Sequence, residues 1–411
     1  MTFFQKTFWP GALTVFFAAA AHAADGPTAT PATAGLHAAL SEDKWQQVDG
    51  AVDRGLAWIA SQQTAGGRFG DYETPDSTQP AVTSLCIMAF LSRGHLPGYG
   101  PYGDALNRAV DFVISCQMED GLFSYLAPLG AQHRPDTPVG NAVYNHAIAG
   151  LMLGEVYGHV TGPRMKQVRI ALDKALAFTR ALQTREKANP EDRGGWRYLR
   201  LFYMFDDSPP DSDMSVTAWQ LMFLRSARNA EFNVPQVYID NAMAYVHRSF
   251  DPDEGVFYYV LSGGQGGQFT RGLVGAGIVA LSLAGEHRSP MALKAGEWLL
   301  AHPFRYFDQT FGGGGRMGGN GGDRFYYSTY YCSQAAAQLG GHYWETLFPP
   351  LADILVSAQN HDGSWPRSNG GGGGFGGGGG RNEWRIGPVY PTAMAVLSLT
   401  PGDQLLPVYQ R

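Results

Sequence analysis

Six aromatic residues, Phe69, Phe123, Trp196, Phe257, Phe311 and Trp365, each close a turn, and successive members lie 54, 73, 61, 54 and 54 residues apart. A recurrence on this scale constrains the fold more than any other feature. A unit so short cannot bury its own apolar face, so each copy must stack on the next. The last copy shows the unit in full. Leu347, Leu351, Ile354, Leu355 and Ala358 fall at helical spacing, then come Gln359, Gly363, Ser364 and Trp365, a glycine-rich stretch, and an apolar run over 388–399. The first segment has one apolar stripe and the second is apolar almost all round, which predicts an outer amphipathic helix and a more buried inner one. Gln62, Gln117, Gln183 and Gln359 hold equivalent places before the turn in four of the six copies.

The chain in order fits the same unit. The first outer helix carries Val48, Val52, Leu56 and Ile59 on one face, and its inner partner covers 80–91. The second pair covers 104–117 and 141–157, with Tyr144, Asn145 and His146 near the inner helix start. The third outer helix (Val168, Leu172, Leu176, Leu182) leads through a longer loop to Asp211-Ser212-Asp213-Met214-Ser215 and an apolar helix over 216–227. The fourth pair covers 237–250 and 269–283, the fifth 291–302 and 325–339. The expectation is an all-α protein, an α/α toroid of six helical hairpins with inner and outer rings.

Residues 1–23 read as a secretory signal peptide, with Lys6, an apolar run over 8–21 too short to span a bilayer, and Ala21-His22-Ala23 as the cleavage site. A retained anchor is the alternative. A Pro/Thr/Ala-rich disordered linker is expected over 24–43 and the toroid over 44–411. The protein would then be exported, periplasmic or extracellular. Apolar residues make up 44% and charged residues 16% of the chain, which suits a large core, and a net charge of −6 without a Lys/Arg run argues against nucleic acid. Peripheral membrane contact stays open. Cys86, Cys116 and Cys332 cannot all pair within the chain and each lies in an apolar helix, so buried free thiols are expected.

With the copies laid out, the chain resembles the prenyltransferase and squalene-cyclase repeat superfamily over nearly all of 44–411. The resemblance rests on the Gln-x-x-x-Gly-x-Trp turn at 359–365, the looser copy at 117–123 and the apolar segment after each. Tyr144-Asn145-His146-Ala147, the stretch from Asp213 through Gln220, and Tyr330-Tyr331-Cys332-Ser333 are most similar to a secreted bacterial branch. The resemblance implies inner helices around a central cavity. Zinc prenyltransferases of the superfamily use Asp-x-Cys and a later His. Here Cys332 fits, but Tyr330 and Pro391 stand at the other ligand places, so neither a metal nor another cofactor is expected. The cyclases protonate an alkene with the central Asp of Asp-x-Asp-Asp-Thr. Asp211 and Asp213 match the first two acids, while Met214 replaces the third.

Three functions remain open on these residues. The first is an enzyme acting on an isoprenoid or other hydrophobic small molecule, with Asp213 as general acid and Asp211 and His146 tuning it. Tyr144, Trp219, Tyr326, Tyr327, Tyr330 and Tyr390 would line the cavity and steady cationic species through their ring faces. The second is a carbohydrate-active α/α barrel acting on an oligosaccharide, which needs two carboxylates ~5–10 Å apart. Asp71, Asp76, Asp136, Asp211, Asp213 and Asp323 all lie near inner-helix starts, and no spacing selects a pair. The third is a binding or scaffold protein without catalysis. Plainer roles accompany the same residues: His146 as a core or rim histidine, Asp213 as a helix N-cap, and the 325–331 aromatic cluster as packing between hairpins.

Overall fold

The computed structural model describes residues 35–70, 72–126, 142–199, 211–262, 267–309, 311, 323–368 and 383–410. The expected signal peptide, Asp71, Asp136 and the glycine tract over 370–380 lie outside the described residues.

Twelve α-helices of eleven residues or more are found among the described residues, in six consecutive pairs. The pairs are α1 (Glu42–Ser61) with α2 (Ala81–Leu91), α3 (Gly103–Ser115) with α4 (Ala142–Val156), and α5 (Gly162–Gln183) with α6 (Met214–Asn229). They continue as α7 (Gln236–Arg248) with α8 (Arg271–Leu283), α9 (Pro290–Ala301) with α10 (Phe325–Leu339), and α11 (Gly341–Ala358) with α12 (Val389–Leu399). Even-numbered helices pack side by side around a closed ring, α12 returning onto α2, and each odd-numbered helix lies outside its partner. This is the toroid of six hairpins that the repeat predicts. No described helix is long and apolar enough to cross a membrane.

Burial follows the inner and outer division. Every residue of α2 and α12 is buried, whereas α1 buries a stripe through Val48, Val52, Leu56 and Ile59. Neighbouring inner helices touch closely where glycine permits it: a Cβ at Gly150 of α4 would lie 2.7 Å from the Phe223 ring on α6. The three cysteines are buried and unpaired, as expected.

The repeated turn has a common mechanism, and it corrects one assignment. The side-chain amide of Gln63, not Gln62, donates to the Gly67 carbonyl at 3.0 Å and to the Ala105 carbonyl on the next outer helix at 2.8 Å. Gln117 reaches Gly121 and Ala171, Gln183 reaches Gly194 and Tyr238, and Gln359 reaches Gly363 and Ala51, which shuts the ring. In these four copies one glutamine therefore ties the turn to the following hairpin. Gly363 has φ +93°, and a Cβ there would stand 2.5 Å from the Arg54 carbonyl, so only glycine fits. The fifth copy lacks both residues. There the buried Arg271 donates to the Pro303 and Gln309 carbonyls instead, and Trp298 stacks on His302 at 4.1 Å.

One boundary differs from expectation. Residues 35–43, expected within the linker, dock on the toroid: Leu36 is buried, and the carbonyls of Leu36 and His37 accept the indole N–H groups of Trp344 and Trp45, each at 2.7 Å. Two buried indoles need acceptors, and this segment supplies them. At the other end of the chain, the segment 401–410 packs onto the C-terminal ends of the inner helices. Tyr409 hydrogen-bonds through its hydroxyl to Tyr330 and lies 3.4 Å from the Met222 sulfur, while Gln338 donates to its carbonyl at 2.9 Å.

Candidate functional site

All of α4 except Tyr144 and all of α10 except Tyr327 is buried. Both exceptions lie in the first turn, at the same end of the ring. Tyr198 and Tyr259, each two residues beyond a turn aromatic, and Arg324, the residue before α10, stand with them. The four tyrosines are half-buried and Arg324 is exposed, the combination expected for the wall of an open pocket. The Tyr198 and Tyr259 hydroxyls hydrogen-bond to each other, the Tyr144 and Tyr198 rings lie 5.8 Å apart, and the Arg197 guanidinium sits 4.7 Å over the Tyr198 ring.

Asp213 is fully buried behind this wall. It is the N-cap of α6, with Oδ1 accepting from Val216 N–H at 2.8 Å and from the Ser215 hydroxyl at 2.7 Å, while Oδ2 accepts from Arg197 at 3.1 Å. Burial pushes its pKa up, and Arg197 and the two hydrogen bonds oppose that rise. Ser215 Oγ lies 2.5 Å from the Tyr144 hydroxyl. Since the Ser215 proton points to Asp213, the Tyr144 hydroxyl donates to Ser215. A continuous chain of hydrogen bonds thus runs from the buried carboxylate to a phenol on the pocket wall.

Two other buried acids serve as helix caps. Glu383 accepts from the N–H groups of Tyr326 and Tyr327 at 3.0 and 2.9 Å and from the Tyr390 hydroxyl at 3.0 Å. Asp323 accepts the Arg271 N–H at the start of α8 and is ion-paired with that side chain. Free N–H groups at an inner-helix start need acceptors, and in a closed ring a neighbouring hairpin is the nearest source. Among the described residues, Asp213, Asp323 and Glu383 are all engaged in this way. No three His, Cys, Asp or Glu side chains among the described residues come together as a metal cluster.

The remaining expected residues divide between wall and core. His146 is fully buried, with Nδ1 accepting from Phe123 N–H at 3.3 Å and Nε2 2.9 Å from Thr179 Oγ1. Thr83, Thr217 and Thr392 accept the N–H of Phe69, Trp196 and Trp365 in the same way. His146 is therefore the second copy's version of a turn anchor, and burial holds its pKa down to about 3, so it stays neutral. Asp211 pins a neighbouring turn, its Oδ2 accepting from Ala188 N–H at 2.9 Å. Trp219 on α6 stacks on Tyr330 of α10 across the ring at 5.6 Å and 7°, and both are buried, so they fill the centre rather than line it. Tyr326 is buried, with its hydroxyl on the Pro366 carbonyl, and Tyr390 stands behind Glu383. Of the expected residues, Asp213, Tyr144 and Tyr327 come together at the pocket.

Arg197, Tyr198, Ser215, Tyr259, Arg324 and Glu383 were not singled out from the sequence. The repeat register points to two of them, since Tyr198 follows Trp196, and Tyr259 follows Phe257, by two residues.

No protein-family model and no curated sequence matches the chain. Solved structures do match in shape. The type II terpene cyclase MstE from Scytonema, in complex with geranylgeranyl dihydroxybenzoate, superposes with a TM-score of 0.53 at 16% identity, over 89% of this chain and 100% of that one. A protein from Actinoplanes gives 0.52 at 16%, over 86% and 99%. Cellobiose 2-epimerase from Spirochaeta thermophila gives 0.59 at 13%, over 92% and 99%. At these identities the likeness is one of fold, and the protein is an α/α toroid of the kind built by squalene-cyclase-like terpene cyclases and by the epimerase.

Proposed function

We propose that the protein is a cyclase-like enzyme that moves a proton onto an isoprenoid-type small molecule held in the pocket at the N-terminal end of the inner ring. The observation that carries this reading is the chain from Asp213 through Ser215 to Tyr144. Asp213 itself is fully buried, so Tyr144 is the group that meets the substrate. With Asp213 protonated the chain runs in the opposite direction, Asp213 donating to Ser215 and Ser215 to Tyr144, so that as Tyr144 gives its proton to the substrate, Ser215 gives its own to Tyr144 and Asp213 gives its own to Ser215. The substrate cation returns a proton along the same path, and the enzyme is restored. Burial, with Tyr198 and Asp213 nearby, raises the Tyr144 pKa, and so weak an acid suits an epoxide or carbonyl oxygen rather than a bare alkene.

Two further observations narrow the substrate. The stacked and buried pair Trp219 and Tyr330 occupies part of the space inside the ring, which favours a short or folded chain over an extended polyene. The engagement of Asp213, Asp323 and Glu383 as caps weighs against a pair of free carboxylates and hence against glycoside hydrolysis. Export is part of the reading and rests on the leader-like residues 1–23; N-terminal sequencing of the protein recovered from the host's exported fraction tests it.

For the activity, organic extracts of purified wild type, Asp213→Asn and Tyr144→Phe, each incubated with a set of oxygenated isoprenoids, are compared by mass spectrometry. A product formed by wild type and reduced about 10²–10⁴-fold in both variants is expected. Turnover unchanged in Tyr144→Phe would refute the relay, and no bound or converted isoprenoid in any sample would refute the substrate class.

A further inference from the structure

We propose that Arg197 is the positioning residue of the proton chain, a clamped guanidinium that binds one Asp213 oxygen and leaves the other as the place for the transferred proton; this rests on the reading of Asp213 as the acid of the chain. The backbone brings the two side chains together. Asp213 N–H donates to the Trp196 carbonyl at 2.9 Å, so the turn aromatic is bridged to the N-cap of α6, and Arg197, the next residue, falls beside the carboxylate. Met214 N–H donates to the Tyr259 carbonyl at 2.8 Å and brings the following turn to the same place. The Arg197 guanidinium lies over both the Tyr198 and the Tyr259 rings, 4.7 and 5.4 Å from their centroids, and the two hydroxyls hydrogen-bond to each other, which closes the clamp. The Arg197 side chain is 8% exposed and that of Asp213 is fully buried, so the ion pair is shielded from water.

Arginine offers donors and no acceptor. Asp213 Oδ2 accepts from Arg197 at 3.1 Å, and a proton bound to that oxygen would weaken its contact with the cation. Oδ1 meets the Ser215 hydroxyl at 2.7 Å, and a hydroxyl can accept as well as donate. When Asp213 is neutral, its proton accordingly sits on Oδ1 and points along the chain to Ser215. The terminal torsion of a carboxyl is two-fold and soft. Freed of the guanidinium, Asp213 would be able to carry its proton on the oxygen that faces away from Ser215, and the chain would be broken at its first bond.

The same contact governs how tightly the proton is held. Burial pushes the Asp213 pKa up, and Arg197 is the largest influence against that rise. Five phenols stand within electrostatic reach of Asp213: Tyr144 on α4, Tyr245 on α7, Tyr327 on α10, and Tyr198 and Tyr259 of the clamp. Burial raises the pKa of every one, so they stay neutral over the range in which a carboxyl titrates, and Arg197 is the charge that acts. A lysine would keep that charge as a point and lose the flat face that lies over the two rings.

The test reads Asp213 directly, by difference infrared spectroscopy of the full chain over a series of pH values, with the band assigned as the carboxyl C=O signal that Asp213→Asn removes. It needs no substrate, so its outcome is separate from whether an isoprenoid is converted. Arg197→Gln is expected to keep Asp213 protonated to a pH about 1–3 units higher than in wild type. Ser215→Ala is expected to shift the band of the neutral carboxyl when Arg197 is present, and to shift it less in the Arg197→Gln background, where the proton is no longer directed at Ser215. Arg197→Lys should restore part of the titration without restoring the full dependence on Ser215. A titration in Arg197→Gln that coincides with wild type, or an equal effect of Ser215→Ala in both backgrounds, overturns the proposal. Circular dichroism of Arg197→Gln shows whether a moved titration belongs to a folded protein. Tyr259→Phe, which removes the hydroxyl contact of the clamp and neither ring nor charge, is the gentler variant: it should move the titration in the same direction by a smaller amount, and no movement overturns the clamp.

Discussion

Glu155, near the C-terminal end of α4, makes the stability of this toroid depend on pH in a way that one substitution isolates. Its side chain is 3% exposed, with Oε1 accepting from the Ser226 hydroxyl at 2.5 Å and Oε2 from the Val408 N–H at 3.2 Å. Burial lifts its pKa from 4.5 to about 7, and the two hydrogen bonds only partly offset this. The folded state therefore holds a proton that the unfolded chain has lost between these two values. The stabilisation is fully present below about pH 4.5 and is lost as pH rises through about 7. At about 1.4 kcal/mol per unit, the full swing is on the order of 3 kcal/mol. Glu155→Gln mimics the protonated form, accepting from Val408 and donating to Ser226, and removes the titration. In urea titrations at a series of pH values, the variant should match wild type at low pH and exceed it by up to about 3 kcal/mol above pH 7. Taking the difference between the two proteins cancels the contributions of Asp213, Asp323, Glu383 and Asp403, whose pKa values burial also raises. Parallel curves from pH 4 to 8 would show that Glu155 titrates normally, and that the C-terminal segment is not docked on a protonated carboxyl.

Three further outcomes follow from the geometry. His146→Ala should cost about 1–3 kcal/mol in urea unfolding, because it orphans the Phe123 N–H and a hydroxyl partner at Thr179, and it should leave the pH profile of any activity unchanged. Gly363→Ala should lose at least about 2 kcal/mol by the same measurement, since it strains the turn that closes the ring against Arg54. Trp219→Ala, which opens a void in the filled centre, should cost about 3–5 kcal/mol and leave ligand affinity at the pocket within a few-fold of wild type.

The repeat made the architecture legible from sequence because periodicity is local. A helix that is apolar all round can only be an inner helix, and a Gly-x-aromatic turn at a regular interval can only join like units, so the six hairpins follow without tertiary information. The same reasoning missed by one residue at Gln62. Adjacent glutamines are equivalent in a pattern, and only the carbonyl of Ala105, supplied by the next hairpin, selects Gln63.

The site was legible only in part. Asp213 stands out because an acid before an apolar run is a cap or a functional group, and here its capping bonds and its link to Tyr144 come from the same carboxylate. His146 and Tyr144 lie on one inner helix two residues apart, yet one is a turn anchor and the other faces the pocket. Trp219 and Tyr330 are 111 residues apart and meet across the ring axis, which turns expected wall residues into core. The sequence by itself determined the units, their number and the order in which they stack, because helical periodicity and turn chemistry are properties of neighbouring residues. Tertiary structure decided which polar groups became caps, which aromatics filled the centre and which faced the pocket, because those roles depend on partners that only ring closure brings within reach.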